Sequence, residues 1–153
     1  MKQMMWLVLF LLINFSALGI GSWLMNSGPT SNWYLTLNKA PWTPPDWVFG
    51  VAWTTIMACF SIYLYYLMNA KATDTFWLLF IIQFVLNVSW NFVFFNQHAI
   101  GFGLIVIVLL TVLIGYYLFN FVADMKLKSL LILPYFVWLL IATSLNAYSY
   151  IKN

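Results

Sequence analysis

Residues Thr75 to Ala123, TFWLLFIIQFVLNVSWNFVFFNQHAIGFGLIVIVLLTVLIGYYLFNFVA, run for 49 residues without a charge. A helix needs about 20 apolar residues to cross the hydrocarbon of a bilayer, so the run is too long for one span and fits two. Asn96-Gln97-His98 interrupts it and reads as the tight hairpin between them.

Working outward, the nine charges stand at Lys2, Lys39, Asp46, Lys71, Asp74, Asp124, Lys126, Lys128 and Lys152, and leave further uncharged gaps of 36, 24 and 23 residues. The last two each hold one span, and the first holds one span and a polar loop. The expectation is an all-α integral membrane protein, a single domain over 1–153 built as a five-transmembrane-helix bundle with a long, lid-like first loop. The helices are expected at about 4–25, 44–68, 74–95, 99–122 and 129–150. Composition agrees: 6% of the chain is charged and 65% is hydrophobic, against about 25% charged in soluble domains. Nucleic acid is not an expected partner, because six dispersed lysines without arginine make no basic stripe. The single Cys59 permits no intrachain disulfide and no cysteine metal cage, and no metal site is expected.

An odd number of spans puts the termini on opposite faces. Lys2, Lys71, Lys126 and Lys128 share one face against Lys39 and Lys152 on the other, which favours a cytoplasmic N-terminus. A cleaved signal peptide is the competing reading of the first span, with small residues at Ala17 and Gly19. The apolar stretch continues past Gly19 through Ile20, Trp23 and Leu24, so we read a span.

The first loop, 26–43, carries Trp33, Tyr34, Leu35, Leu37 and Trp42, too much apolar surface for a disordered segment. It reads as a lid, with Trp33, Lys39 and Trp42 its marker residues; interfacial anchoring in headgroups is the plainer alternative. Thr43-Pro44-Pro45-Asp46 reads as the start of the second helix, with Thr43 as cap and Asp46 at the third position, and Thr73-Asp74 starts the third helix in a similar way.

Gln83, Asn87 and Asn91 fall at i, i+4 and i+8, one stripe on the third helix beside Trp90. Helix-to-helix hydrogen bonding is the common use of such amides. Depth adds a second reading. At about 1.5 Å per residue, Trp53 and Asn87 both lie about 13 Å below the lid side, and Ala142 falls near that level with Trp138 one turn deeper and Asn146 above. Trp53, Asn87, Trp90, Trp138 and Ala142 are therefore expected to line an apolar cavity under the lid, with Tyr34, Leu145 and Asn146 in the same binding set. Trp6, Trp23, Trp47 and Trp77 lie near span ends and read as interfacial belt residues.

Ordinary catalysis is poorly provided for. The three Asp lie at helix ends or in loops, Glu is absent, and His98 sits in a hairpin, where a solvated loop histidine is a better reading than a haem ligand. No ionisable group at mid-membrane argues against a proton-coupled pump.

Pro41-Trp42-Thr43-Pro44-Pro45 followed by Trp53, then Trp90-Asn91-Phe92, and Leu133-Pro134-Tyr135-Phe136-Val137-Trp138 running to Ala142 and Leu145-Asn146, closely resemble the tryptophan-rich sensory protein and translocator protein family (TspO/MBR), historically the peripheral benzodiazepine receptor. The resemblance spans nearly the whole chain and points to a bacterial member in the plasma membrane. It implies a five-helix bundle, commonly a homodimer, whose cavity binds protoporphyrin IX or a haem-related tetrapyrrole, lipophilic drugs of the isoquinoline carboxamide and benzodiazepine types, and in some members cholesterol. It also implies light-dependent breakdown of protoporphyrin IX. On this resemblance Trp53 and Trp138 match the tryptophans associated with the photochemistry, and Trp53 and Asn87 match ligand contacts. Leu145, Tyr148 and Lys152 fit a sterol-recognition pattern. With no Arg in the chain, Lys39 and Lys152 are the lid-side cations available to porphyrin propionates.

Three functions follow as expectations: a tetrapyrrole-binding protein that senses, sequesters or photodegrades porphyrin; a passive or partner-driven transporter of porphyrin, lipid or sterol; and a non-catalytic membrane scaffold. No obligatory cofactor is expected, and the partners are lipophilic small molecules, membrane lipid and a second copy of the chain.

Overall fold

Helix boundaries follow the charges. The computed structural model describes residues 2–153, with side chains from Met4 onward; Met1 and the side chain of Lys2, counted above in the charge balance, lie outside the described residues. In chain order the helices are α1 (Lys2–Leu24), α2 (Asn32–Thr36), α3 (Asp46–Lys71), α4 (Asp74–Asn91), α5 (Ile100–Asn120), α6 (Val122–Met125) and α7 (Leu133–Lys152). Among the described residues there is no strand. α1, α3, α4 and α5 are each long and apolar enough to cross a membrane, and α7 gives a fifth span when counted with segment 122–131, from which it departs at 73°. α7 runs antiparallel to α5 across the same thickness. Gly101 lies against Tyr150 at one end, Gly115 lies against Phe136 at the other, and the hydroxyls of Thr111 and Thr143 meet at 3.0 Å between them.

In cross-section the five long helices close a ring in the order α1, α3, α7, α5, α4 and back to α1. The outer face is apolar, with Phe102, Val112 and Phe119 each at least 65% exposed, a surface that lipid accepts and water does not. Buried polar pairs tie helices together. Asn14 Nδ2 donates to Ser61 Oγ at 2.8 Å between α1 and α3, and Gln83 Nε2 donates to Tyr135 OH at 2.9 Å between α4 and α7.

Several boundaries depart from the sequence expectation, each for a local reason. Thr43 does not cap α3: its hydroxyl donates to the Ala40 carbonyl at 2.7 Å, Pro45 is the extended residue before the helix, and Asp46 stands at its first position instead of its third, so the helix starts two residues later than expected. Thr73 does cap α4, accepting from the Phe76 N–H at 3.3 Å. The expected helix 74–95 changes character at Phe92, where residues Phe92–Asn96 form a π turn and the Gln97 N–H reaches the Phe92 carbonyl at 3.0 Å. The fifth span begins at Leu133 instead of 129 because Lys126–Leu131 winds as a 3-10 segment, and Pro134 falls in the first turn of α7, where a missing N–H leaves no bond unmade.

The lid is ordered. Gly28–Thr30 makes a 3-10 turn and α2 follows, with Ser31 Oγ accepting from the Tyr34 N–H at 3.2 Å. Its far end is pinned to the chain terminus, where the Asn38 N–H donates to Asn153 Oδ1 at 3.0 Å.

Candidate functional site

Under the lid lies a cavity of about 160 Å3. α1 contributes Ala17, Leu18 and Ser22, with Met25 just past its end; α3 contributes Asp46, Phe49 and Trp53. α4 and its π turn contribute Asn87, Trp90, Asn91, Phe94 and Phe95, and α7 contributes Trp138, Ala142, Leu145, Asn146 and Ser149. Pro29, Tyr34, Lys39 and Thr43 close the lid side. α1 passes close to α4 at Gly21, where a Cβ would stand 2.6 Å from Asn91 Nδ2 and would displace that amide.

The three indoles are held differently. Trp90 is fixed by its Nε1 donating to Asn146 Oδ1 at 3.1 Å, while Asn146 Nδ2 donates to the Ile100 carbonyl at 3.0 Å. Trp53 rests edge-on against Tyr135, centroids 5.9 Å apart. Trp138 meets Phe49 edge-on at 5.3 Å, and its Nε1, buried, has no hydrogen-bond partner among the described residues. Asn87 is 5% exposed and gives its backbone carbonyl to Asn91 Nδ2 at 3.3 Å. Its amide faces the cavity without a protein partner among the described residues, whereas Gln83, one turn deeper, is engaged by Tyr135.

Charge is confined to the rim, where Lys39 and Asp46 stand. Lys39 Nζ lies 4.5 Å from the centre of the Tyr34 ring. Burial, and then the Asp46 carboxylate, raise the Tyr34 phenol above its ordinary pKa of 10.0. The site combines wide apolar walls with a few unengaged polar groups in depth and one charge of each sign at its rim. It suits a flat, largely apolar ligand with polar substituents at one edge.

Of the residues singled out from sequence, Tyr34, Lys39, Trp53, Asn87, Trp90, Trp138, Ala142, Leu145 and Asn146 stand on this wall. Trp33, Trp42, Tyr148 and Lys152 do not. Trp33 stacks on His98, and Trp42 packs on the outside of α7, donating to Ser144 Oγ at 3.1 Å and meeting Tyr148 edge-on at 5.4 Å. Lys152 Nζ lies 6.0 Å from the Tyr148 ring centre, so only Leu145 of the sterol pattern faces the cavity. Trp6 and Trp77 pair at 5.8 Å between α1 and α4, while Trp23 and Trp47 project outward, 79% and 70% exposed.

Sequence reasoning missed Phe49, Phe94, Phe95 and Ser149. A π turn leaves no residue signature, so the inward turn of both Phe94 and Phe95 was not legible. Ser149 was within reach, one turn beyond Asn146 on α7.

The sequence profile described as the TspO/MBR family matches residues 8–151. The chain is 34% identical to the "Tryptophan-rich protein TspO" of Chlorobaculum tepidum over 139 residues, 85% of each chain. It is 30% identical to the protein of that name from Archaeoglobus fulgidus over 143 residues, 90% of each. It is 28% identical to the human "Translocator protein" over 124 residues, 78% of this chain and 73% of that one.

Proposed function

The chain belongs to the TspO/MBR family, and we propose that its lid-side cavity is the binding site of a tetrapyrrole such as protoporphyrin IX, held for sensing, sequestration or light-dependent degradation. The observation that carries this is the wall itself: Trp53, Trp90 and Trp138 converge on one apolar space whose charges stand at the rim. The macrocycle lies among the indoles, and a propionate reaches Lys39 at the lid. Other lipophiles of similar breadth, including drugs, enter the same space.

Trp53 and Trp138 carry the photochemistry in this reading. Once the bound macrocycle has absorbed light, an indole in contact with it supplies an electron, the macrocycle being reduced and the indole oxidised. The protein works as a homodimer in a bacterial plasma membrane with its N-terminus in the cytoplasm. A conduit is disfavoured, because Phe60, Tyr63, Tyr117 and Tyr135, all fully buried, fill the bundle below the cavity.

The test is a dark titration of the detergent-purified protein with protoporphyrin IX, followed by tryptophan quenching, then illumination and the porphyrin spectrum. We expect saturable binding, and light-driven bleaching that Trp53→Phe and Trp138→Phe each reduce at least about tenfold. Binding without bleaching removes the photochemical role and leaves a sensor or carrier; no saturable binding overturns the tetrapyrrole assignment.

A further inference from the structure

The lid is fastened to the bundle by a contact outside the cavity wall. Trp33 on α2 lies flat on the His98 imidazole, ring centroids 4.1 Å and planes 14° apart, and meets Phe94 edge-on at 5.6 Å. Its neighbour Tyr34 packs against Phe95 at 5.2 Å and forms part of the wall. His98 is exposed and held at φ 54°, a left-handed conformation that His, Asn and Asp adopt more readily than bulkier residues. The π turn that brings Phe94 and Phe95 into the wall thus leads directly to the residue beneath Trp33.

We propose that the Trp33–His98 stack is the latch of the lid: it holds α2 down, positions Tyr34 in the wall, and tightens when His98 is protonated. Histidine is the side-chain type whose charge changes between pH 5 and 8, and an imidazolium over an indole face adds cation–π attraction to the stack. The charged and titratable side chains at this end of the bundle are Lys39, Asp46, Lys152, Tyr34, Tyr148 and Tyr150. Lys39 is engaged with Tyr34 and Lys152 points toward Tyr148, and among the described residues none forms an ion pair with His98. Its charge is therefore free to act on Trp33. Because Trp33 does not line the cavity, the latch governs passage through the lid and not contact with whatever is bound.

Opening can be read without any ligand, so the result is separable from the tetrapyrrole assignment. In a Cys59→Ser background, Ala142→Cys places a thiol on the cavity wall, and its rate of modification by a charged, water-soluble methanethiosulfonate reports lid opening in the detergent-solubilised protein. At pH 8, Trp33→Leu and His98→Asn should each raise that rate about fivefold, the size of one aromatic pair. Lowering the pH to 5.5 should slow the reaction about threefold more with His98 than with His98→Asn, in which only the thiol's own ionisation acts. His98→Phe, which keeps a flat ring without a charge, should keep the slow rate and lose the extra pH dependence; if φ 54° prevents it from folding, His98→Asn still decides. Rates within twofold of the parent in both Trp33→Leu and His98→Asn overturn the latch. An identical pH dependence with and without His98 overturns its tightening by protonation.

Discussion

At the level of Phe60 the bundle is filled, and two turns nearer the lid, at the level of Trp53, it is open. In the filled half Phe60 meets Tyr135 at 5.3 Å and Tyr117 at 6.0 Å, and the Tyr63 hydroxyl donates to the Tyr117 carbonyl at 3.0 Å. α3 and α7 run through both halves, so the placement of these helices does not explain the difference. Residues seven apart share a helix face. Phe10 on α1 is followed on its face by Ala17, Phe80 on α4 by Asn87, and Tyr135 on α7 by Ala142, all six buried. Three helices each exchange a ring for a small or polar side chain at the depth of the cavity, and the space left is the site.

The largest effect should come from hollowing the filled half. Phe60→Ala removes a fully buried ring, and at about 24 cal/mol per Å3 of residual cavity the loss is about 3 kcal/mol. In a bilayer or micelle this is lost packing more than lost hydrophobic transfer, because the surroundings are as apolar as the core. Trp53→Ala, on a wall that already borders empty space, should cost no more than about 1 kcal/mol. Thermal unfolding in detergent measures both; equal losses would mean that the two halves are packed alike.

Filling the hollow half is the converse. Ala142→Phe restores on α7 the ring that Tyr135 carries seven residues earlier. It should weaken protoporphyrin IX binding at least about a hundredfold, about 2.7 kcal/mol, without lowering the melting temperature. Unchanged affinity would place the ligand elsewhere.

How much of this contrast could be read in advance depends on what each feature rests upon. The spans were legible because charge cannot enter hydrocarbon, so Asp46, Lys71 and Asp74 mark helix ends directly, and Asp124 falls just past the end of α5. The depth of the cavity was legible because a helix rises by a fixed amount per residue, which brings Trp53, Asn87 and Ala142 to one level. Partner choice was not. Spacing puts Gln83, Asn87 and Asn91 on one face, yet only the fold decides that Gln83 finds Tyr135 while the Asn87 amide is left facing the cavity. Local hydrogen bonding was also hidden, since Thr43 has the chemistry of a helix cap and spends its hydroxyl on Ala40. The partners of the lid tryptophans were hidden as well: Trp33 stacks on His98 and Trp42 donates to Ser144, both outside the cavity wall.

The smallest effect belongs to the rim, where the hollow half meets water. Tyr34 is partly buried there, and its raised pKa has burial as its larger cause and the Asp46 carboxylate as its smaller one. Folding therefore favours the protonated phenol. That preference leaves lid stability intact below the unfolded pKa of about 10 and removes it as pH climbs from there through the folded value. Asp46→Asn takes away the smaller cause alone, so the Tyr34 pKa should fall toward its ordinary value without reaching it. An ultraviolet difference titration of the parent against Tyr34→Phe, repeated in the Asp46→Asn background, isolates this phenol from the other eight tyrosines. If Asp46→Asn leaves the titration unmoved, the carboxylate does not act on Tyr34, and burial under the lid alone sets its protonation.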